Sequence, residues 1–116
     1  MNISEIMVRM IAFSDQNHRD INHFMKVHSF AHTIGVLEQL DDETQFILET
    51  AAIVHDIACH HTLHSIDGAD YQILIEADYL VNADENGYSK DNIRSFGETY
   101  FKTAAGKNLL HALYGV

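Results

Sequence analysis

Apolar residues recur every three or four positions along most of the chain, which is the spacing of one face of an α-helix. Alternation typical of strands is scarce and proline is absent, so the pattern predicts an all-α protein of five or six helices. The predicted helices run from Asn2 or Ser4 to Phe13 and over residues 19–40, 43–60, 70–82, 89–102 and 107–114.

Two of these helices carry the strongest apolar patterns. The second is expected to bury one face, which ends at Leu37. The third is apolar almost all round, and this indicates a central helix that buries Phe46 and Ile47 as well.

Composition narrows the class of protein. A length of 116 residues with 47% hydrophobic residues fits one domain over residues 1–116 with its own core. The formal charge of −10 disfavours nucleic acid, whose backbone requires a basic face. No apolar run could span a bilayer, and the single cysteine fits a reducing compartment. We therefore expect a cytoplasmic protein that has no membrane partner.

A histidine and a carboxylate, His55 and Asp56, stand side by side in an otherwise apolar run. Burying such a pair is unfavourable unless the two groups hydrogen-bond to each other or bind a metal ion. For a lone doublet, both explanations remain open.

Two further polar residues fall at inward positions of predicted helices. His23 lies four residues before Val27 in the second helix, and Asp78 interrupts the apolar stretch of the fourth. With the doublet, they place two imidazoles and two carboxylates in the interior, which favours a metal site over a hydrogen-bonded network. Mixed nitrogen and oxygen ligands are typical of Mn, Fe, Co, Ni or Zn rather than Ca.

The remaining histidines carry weaker predictions. His60, His61 and His64 could form a second metal site or line the substrate entrance, and solvated loop histidines explain them equally well. His28 and His32 have a spacing that can bind metal, but we expect them on an exposed face without a role. Cys59 is interpreted as a small buried apolar residue.

The order of these residues resembles the HD-domain superfamily. Its pattern is a histidine, here within residues 21–27, then a His-Asp doublet, then a distal aspartate, here within residues 76–80. Residues 66–78 and 101–110 look similar to a small bacterial subfamily of HD phosphohydrolases.

The resemblance implies an HD-domain-like helical bundle around one or two divalent metal ions. The implied ligands are His23, His55, Asp56 and Asp78, with Asp56 also acting in catalysis as the bridge between two ions. The implied activity is metal-dependent hydrolysis of a small phosphate ester, expected to be a nucleotide, by a metal-activated water. Lys26 could meet the substrate phosphate, although a surface lysine is the simpler interpretation.

The chain departs from that family just after the doublet. Three residues separate Asp56 from His60, whereas similar proteins have several tens of residues there, which cover the site. Either this protein lacks the cover, or the sequence joins two segments across an absent stretch. An open site could be closed in a homodimer. The alternative function is a non-catalytic module that binds metal or a ligand.

Overall fold

The computed structural model of the chain describes residues 1–56 and 68–116, which form six α-helices and no strand. The prediction of an all-α bundle of five to six helices is thereby confirmed. Within these two ranges, no helix is both long and apolar enough to cross a membrane. The helices are α1 (Ile3–Phe13), α2 (His18–Leu37), α3 (Asp42–Val54), α4 (Ala69–Glu85), α5 (Lys90–Tyr100) and α6 (Ala104–Tyr114).

Five of the helices begin at a side chain that caps the first turn. Such a side-chain oxygen accepts a backbone N–H that would otherwise lack a partner. The capping residues are Asn2, Asn17, Asp41, Ser89 and Thr103. The last of these places Gly106 inside α6, whereas the sequence predicted that this glycine precedes the helix.

Helix α2 ends three residues earlier than predicted, at Leu37. The N–H of Leu40 donates to the carbonyl of Gly35 at 3.1 Å, and the N–H of Gln39 donates to Val36 at 3.1 Å. Gln39 has a positive φ of 62°. These hydrogen bonds form a Schellman motif, which ends a helix. The residue in its left-handed position is usually glycine but here is glutamine, so the sequence did not reveal the end of α2.

The main core lies where α2, α3 and α4 meet. Its fully buried side chains include Val27, Ala31, Ile34, Leu48, Ala52, Ile73 and Ala77. A smaller cluster of Met10, Phe24 and Ile53 joins α1 to the C-terminal part of α3.

Three residues predicted to be buried are instead exposed. The exposed fractions are 61% for Leu37 and 42% for both Phe46 and Ile47. Leu37 is the last residue of α2, and Phe46 and Ile47 lie in the N-terminal half of α3, away from Ile53, where α1 packs. The third helix is therefore buried on fewer sides than its all-round apolar pattern predicted.

A fully buried carboxylate, Glu76, joins α4 to the segment between α5 and α6. Its Oε2 accepts the backbone N–H of Lys102 at 2.8 Å and of Thr103 at 3.1 Å, and the Gln72 side-chain amide at 2.7 Å. Its Oε1 accepts the Thr103 hydroxyl at 2.6 Å. Gly106 is needed beside it, because a Cβ there would collide with Glu76 Oε1. These hydrogen bonds compensate for the loss of hydration of the buried charge.

We expect Glu76→Ala to lower the free energy of unfolding by about 3 kcal/mol, since it leaves buried donors without an acceptor. The matched control is Glu98→Ala, which removes an exposed glutamate from α5 and should change stability by less than about 0.5 kcal/mol. Urea denaturation of both variants measures the difference. Similar small losses in the two variants would contradict this role of Glu76.

Candidate metal centre

Three side chains from different parts of the chain converge beside the main core. His23 comes from α2, His55 follows directly after α3, and Asp78 comes from α4. His23 Nε2 and His55 Nε2 each lie 3.2 Å from Asp78 Oδ1. One ligand atom from each residue lies within 4.8 Å of the other two, so the group could hold a metal ion.

The outer atoms of these side chains are held by neighbouring groups. His55 Nδ1 donates to the carbonyl of Ala52 at 2.9 Å, and His23 Nδ1 donates to Glu85 Oε1 at 2.7 Å. Asn82 Nδ2 donates to Asp78 Oδ2 at 3.0 Å. Nδ1 of each ring therefore bonds to a group outside the centre, while Nε2 of each ring points at Asp78 Oδ1. Second contacts of this kind fix the orientation and tautomer of metal-binding histidines.

Glu85 is a site residue that the sequence prediction missed. The fourth helix was predicted to end at Asn82, with Glu85 in a turn, but α4 continues to Glu85. Asp78, Asn82 and Glu85 are therefore spaced by four and then three residues on one helix face. This spacing in the sequence could have identified Glu85 as a neighbour of the metal centre. Lys26 Nζ lies 3.9 Å from Glu85 Oε2, so this lysine borders the site through Glu85.

Asp56 lies at the edge of the group. Its Oδ1 is 3.2 Å from His55 Nε2, but its side chain is 50% exposed, against 9% for His55. The prediction that the whole doublet is interior is wrong for Asp56. The reason is that α3 ends at Val54 and His55 is its C-cap, so Asp56 lies beyond the helix.

The charges of the three residues depend on one another. The hydrogen bond with Asp78 raises the pKa of His23 to about 9 against the effect of burial, with help from Glu85. Burial opposes the charge of His55, but Asp78 outweighs it and raises the pKa of this ring. Burial likewise opposes ionisation of Asp78, yet the hydrogen bonds from both histidines lower the pKa of its carboxyl. A metal ion would therefore have to displace protons from both Nε2 atoms.

His28 and His32 both contact Glu49, so the prediction that they have no role is wrong. The predicted exposure holds for His32, whose side chain is 54% exposed, but not for His28, at 19%. His28 Nε2 donates to Glu49 Oε1 at 2.8 Å, and His32 Nδ1 donates to Glu49 Oε2 at 2.9 Å. Gln45 Nε2 also donates to Glu49 Oε2, at 2.7 Å. Burial opposes the charge of Glu49, but these hydrogen bonds lower the pKa of its carboxyl. The cluster ties α2 to α3 at a buried glutamate that the sequence prediction overlooked.

The histidine-rich segment lies outside the described residues. This applies to Cys59, His60, His61 and His64, and to the last residues of the predicted third helix. A second metal site or a substrate entrance in that segment stays a prediction.

Comparisons with protein-family models, curated proteins and solved structures find no match to this chain. What is known of this chain therefore comes from its fold and from the geometry of the three-residue group. The chain is an all-α protein in which His23, His55 and Asp78 form a group that could hold a metal ion.

We expect the metal-free protein to lose stability as the pH rises from 6.5 towards 9. The pKa of His23 is raised from 6.5 to about 9 in the folded chain, so the stabilisation is complete below 6.5 and disappears as the pH passes 9. Thermal unfolding in the presence of a chelator, monitored by circular dichroism, measures this loss. Between pH 6.5 and 9 the melting temperature should fall less for His23→Gln than for the original chain. Equal decreases in the two proteins would contradict the proposed charge on His23.

We expect Glu85→Ala to weaken binding of a divalent metal by about 10–100-fold, because His23 loses the acceptor that orients its ring. Asp84→Ala is the matched control, since it removes the same charge from the neighbouring position. Competition with a coloured chelator measures both affinities. An equal loss in the two variants would mean that net charge, and not the hydrogen bond to His23, explains the effect.

Proposed function

We propose that the protein is a metal-dependent phosphohydrolase of the HD-domain type that acts on a small phosphate ester. The observation that supports this most strongly is the approach of His23 Nε2 and His55 Nε2 to Asp78 Oδ1, at 3.2 Å each. Their order along the chain is the order that the HD-domain resemblance implies. Asp56, the remaining residue of that pattern, contacts His55 Nε2.

The donor atoms fit a divalent transition metal. Two imidazole nitrogens and one carboxylate oxygen suit Mn, Fe, Co, Ni or Zn, and three protein ligands leave positions for water and substrate. A metal ion bound there would polarise the phosphoryl oxygen and activate water for attack. The second carboxylate, Asp56, could add a ligand or favour a second ion, as the resemblance implies.

The chain's own residues would divide the remaining tasks. Ala52 and Glu85 hold the two rings through Nδ1, which keeps both Nε2 atoms turned to the centre. Asn82 restrains the carboxylate of Asp78 through Oδ2. Asp56 is half exposed beside His55, and where a single ion is bound by the other three residues its carboxylate would accept the proton of an attacking water.

Composition is compatible with a small phosphorylated substrate, and the single cysteine fits the reducing cytoplasm. A net charge of −10 is unsuited to a nucleic-acid backbone. A metal ion would make the centre locally positive in spite of that charge, so a single phosphate group could still bind.

A non-catalytic module that binds metal or a ligand is the second candidate. His23, His55 and Asp78 satisfy one another's hydrogen bonds, so the group has a structural role that does not depend on catalysis. The short spacing between Asp56 and His60 also favours it, because HD proteins have several tens of residues at this point, which cover the site.

We expect hydrolysis of an aryl phosphate, or of compounds in a nucleotide panel, to depend on added Mn, Fe, Co, Ni or Zn. His55→Ala and Asp78→Asn should each lower the rate by about 100-fold or more, because each removes a metal ligand. His111→Ala, which changes an exposed histidine of α6, is the control and should keep its activity.

Two results separate the candidates. Metal binding by the original chain without hydrolysis of any compound tested would support the non-catalytic module. Hydrolysis that survives in His55→Ala at the original rate would contradict the proposed centre.

A further inference from the structure

A polar pocket of about 520 Å³ borders the candidate metal centre, at the start of α2 and the end of α4. Three of its lining residues, His23, Asn82 and Glu85, are shared with the centre. Arg19 lies one turn before His23 on α2. Asn86 is the residue that follows the last residue of α4, four positions after Asn82. The pocket therefore extends from the metal centre along the faces of two helices.

We propose that this pocket, which we call the α2–α4 pocket, binds the hydroxyl-rich body of a sugar phosphate, with Arg19 contacting the phosphate. This inference rests on the proposed phosphohydrolase function and adds the class of substrate. It replaces the expected nucleotide with a phosphorylated sugar.

Arg19 is suited to bind phosphate because no described carboxylate pairs with it. In the described residues, the ion pairs of lysine and arginine are Lys26 with Glu85 and Arg94 with Asp91. A guanidinium presents two parallel N–H donors to a phosphate group. Arg19 also belongs to the first turn of α2, which Asn17 caps and whose positive end favours an anion.

The pocket also contains two carboxylates, Asp20 and Glu85. Glu85 Oε1 accepts a hydrogen bond from His23 Nδ1 at 2.7 Å, and Lys26 Nζ lies 3.9 Å from Glu85 Oε2, so Lys26 offsets part of its charge. Asp20 is the carboxylate of the lining that no described side-chain cation pairs with, and we expect it to accept hydrogen bonds from sugar hydroxyls rather than to lie beside the phosphate.

The rest of the lining favours hydroxyl groups over a nucleobase. It consists of asparagine and acidic side chains, among them Asn82, Asn86 and Asp20. Carboxamides can donate to and accept from hydroxyls, and carboxylates can accept from them. Apart from the His23 imidazole, the described lining offers no aromatic ring, although bases are commonly bound by stacking on such rings.

The test measures binding of ribose 5-phosphate and of phenyl phosphate by isothermal titration calorimetry, with Mn²⁺ present. The original chain should bind ribose 5-phosphate at least about 10-fold more tightly than phenyl phosphate, a difference in binding free energy of about 1.4 kcal/mol. Arg19→Gln should weaken binding of both compounds by about 10-fold or more. Asn86→Ala should weaken binding of ribose 5-phosphate alone. Arg9→Gln, which changes an exposed arginine of α1, is the matched control and should bind as the original chain does.

Three results would overturn the proposal: no binding of ribose 5-phosphate by the folded original chain, equal affinity for the two compounds, or unchanged binding in Arg19→Gln. Failure of the pocket and failure of the proposed function are distinguishable. Hydrolysis of phenyl phosphate without preference for the sugar phosphate rejects the pocket alone. Binding of ribose 5-phosphate through Arg19 without any hydrolysis supports the pocket and rejects the phosphohydrolase function.

Discussion

The carboxylate of Asp78 holds three parts of the helical bundle together. One of its oxygens lies 3.2 Å from both His23 Nε2 and His55 Nε2, so a single atom joins α4 to α2 and to the residue that follows α3. A partly buried carboxylate is unfavourable without such partners. The arrangement that compensates this charge in the metal-free chain is also one that brings three metal-ligand atoms together.

The same solution to the burial of charge recurs in the bundle. Glu49 accepts hydrogen bonds from His28 and His32 and so ties α3 to α2, while Glu76 ties α4 to the segment before α6. The partners differ in kind. Glu76 is held mainly by backbone N–H groups and a hydroxyl, which suits a purely structural role, whereas Asp78 is held by two histidines that can exchange a proton for a metal ion.

Sequence periodicity was sufficient for the all-α class and for the positions of most helices, because capped, amphipathic helices have strong local signals. It was also sufficient to select His23, His55 and Asp78, which interrupt apolar faces. It failed for Gln39, where a non-glycine residue ends α2, and for Asp56, which lies beyond the last turn of α3. Glu85 was missed because the predicted end of α4 was three residues too early. Glu49 was missed because its histidine partners are distant in sequence.

The most direct test is a crystal structure of the protein soaked with Mn²⁺ or Zn²⁺, with anomalous scattering used to locate the ion. We expect an anomalous peak about 2.0–2.2 Å from His23 Nε2, His55 Nε2 and an Asp78 carboxylate oxygen. An ion bound elsewhere, or no peak at these three residues with the metal in excess, would contradict a metal centre formed by His23, His55 and Asp78.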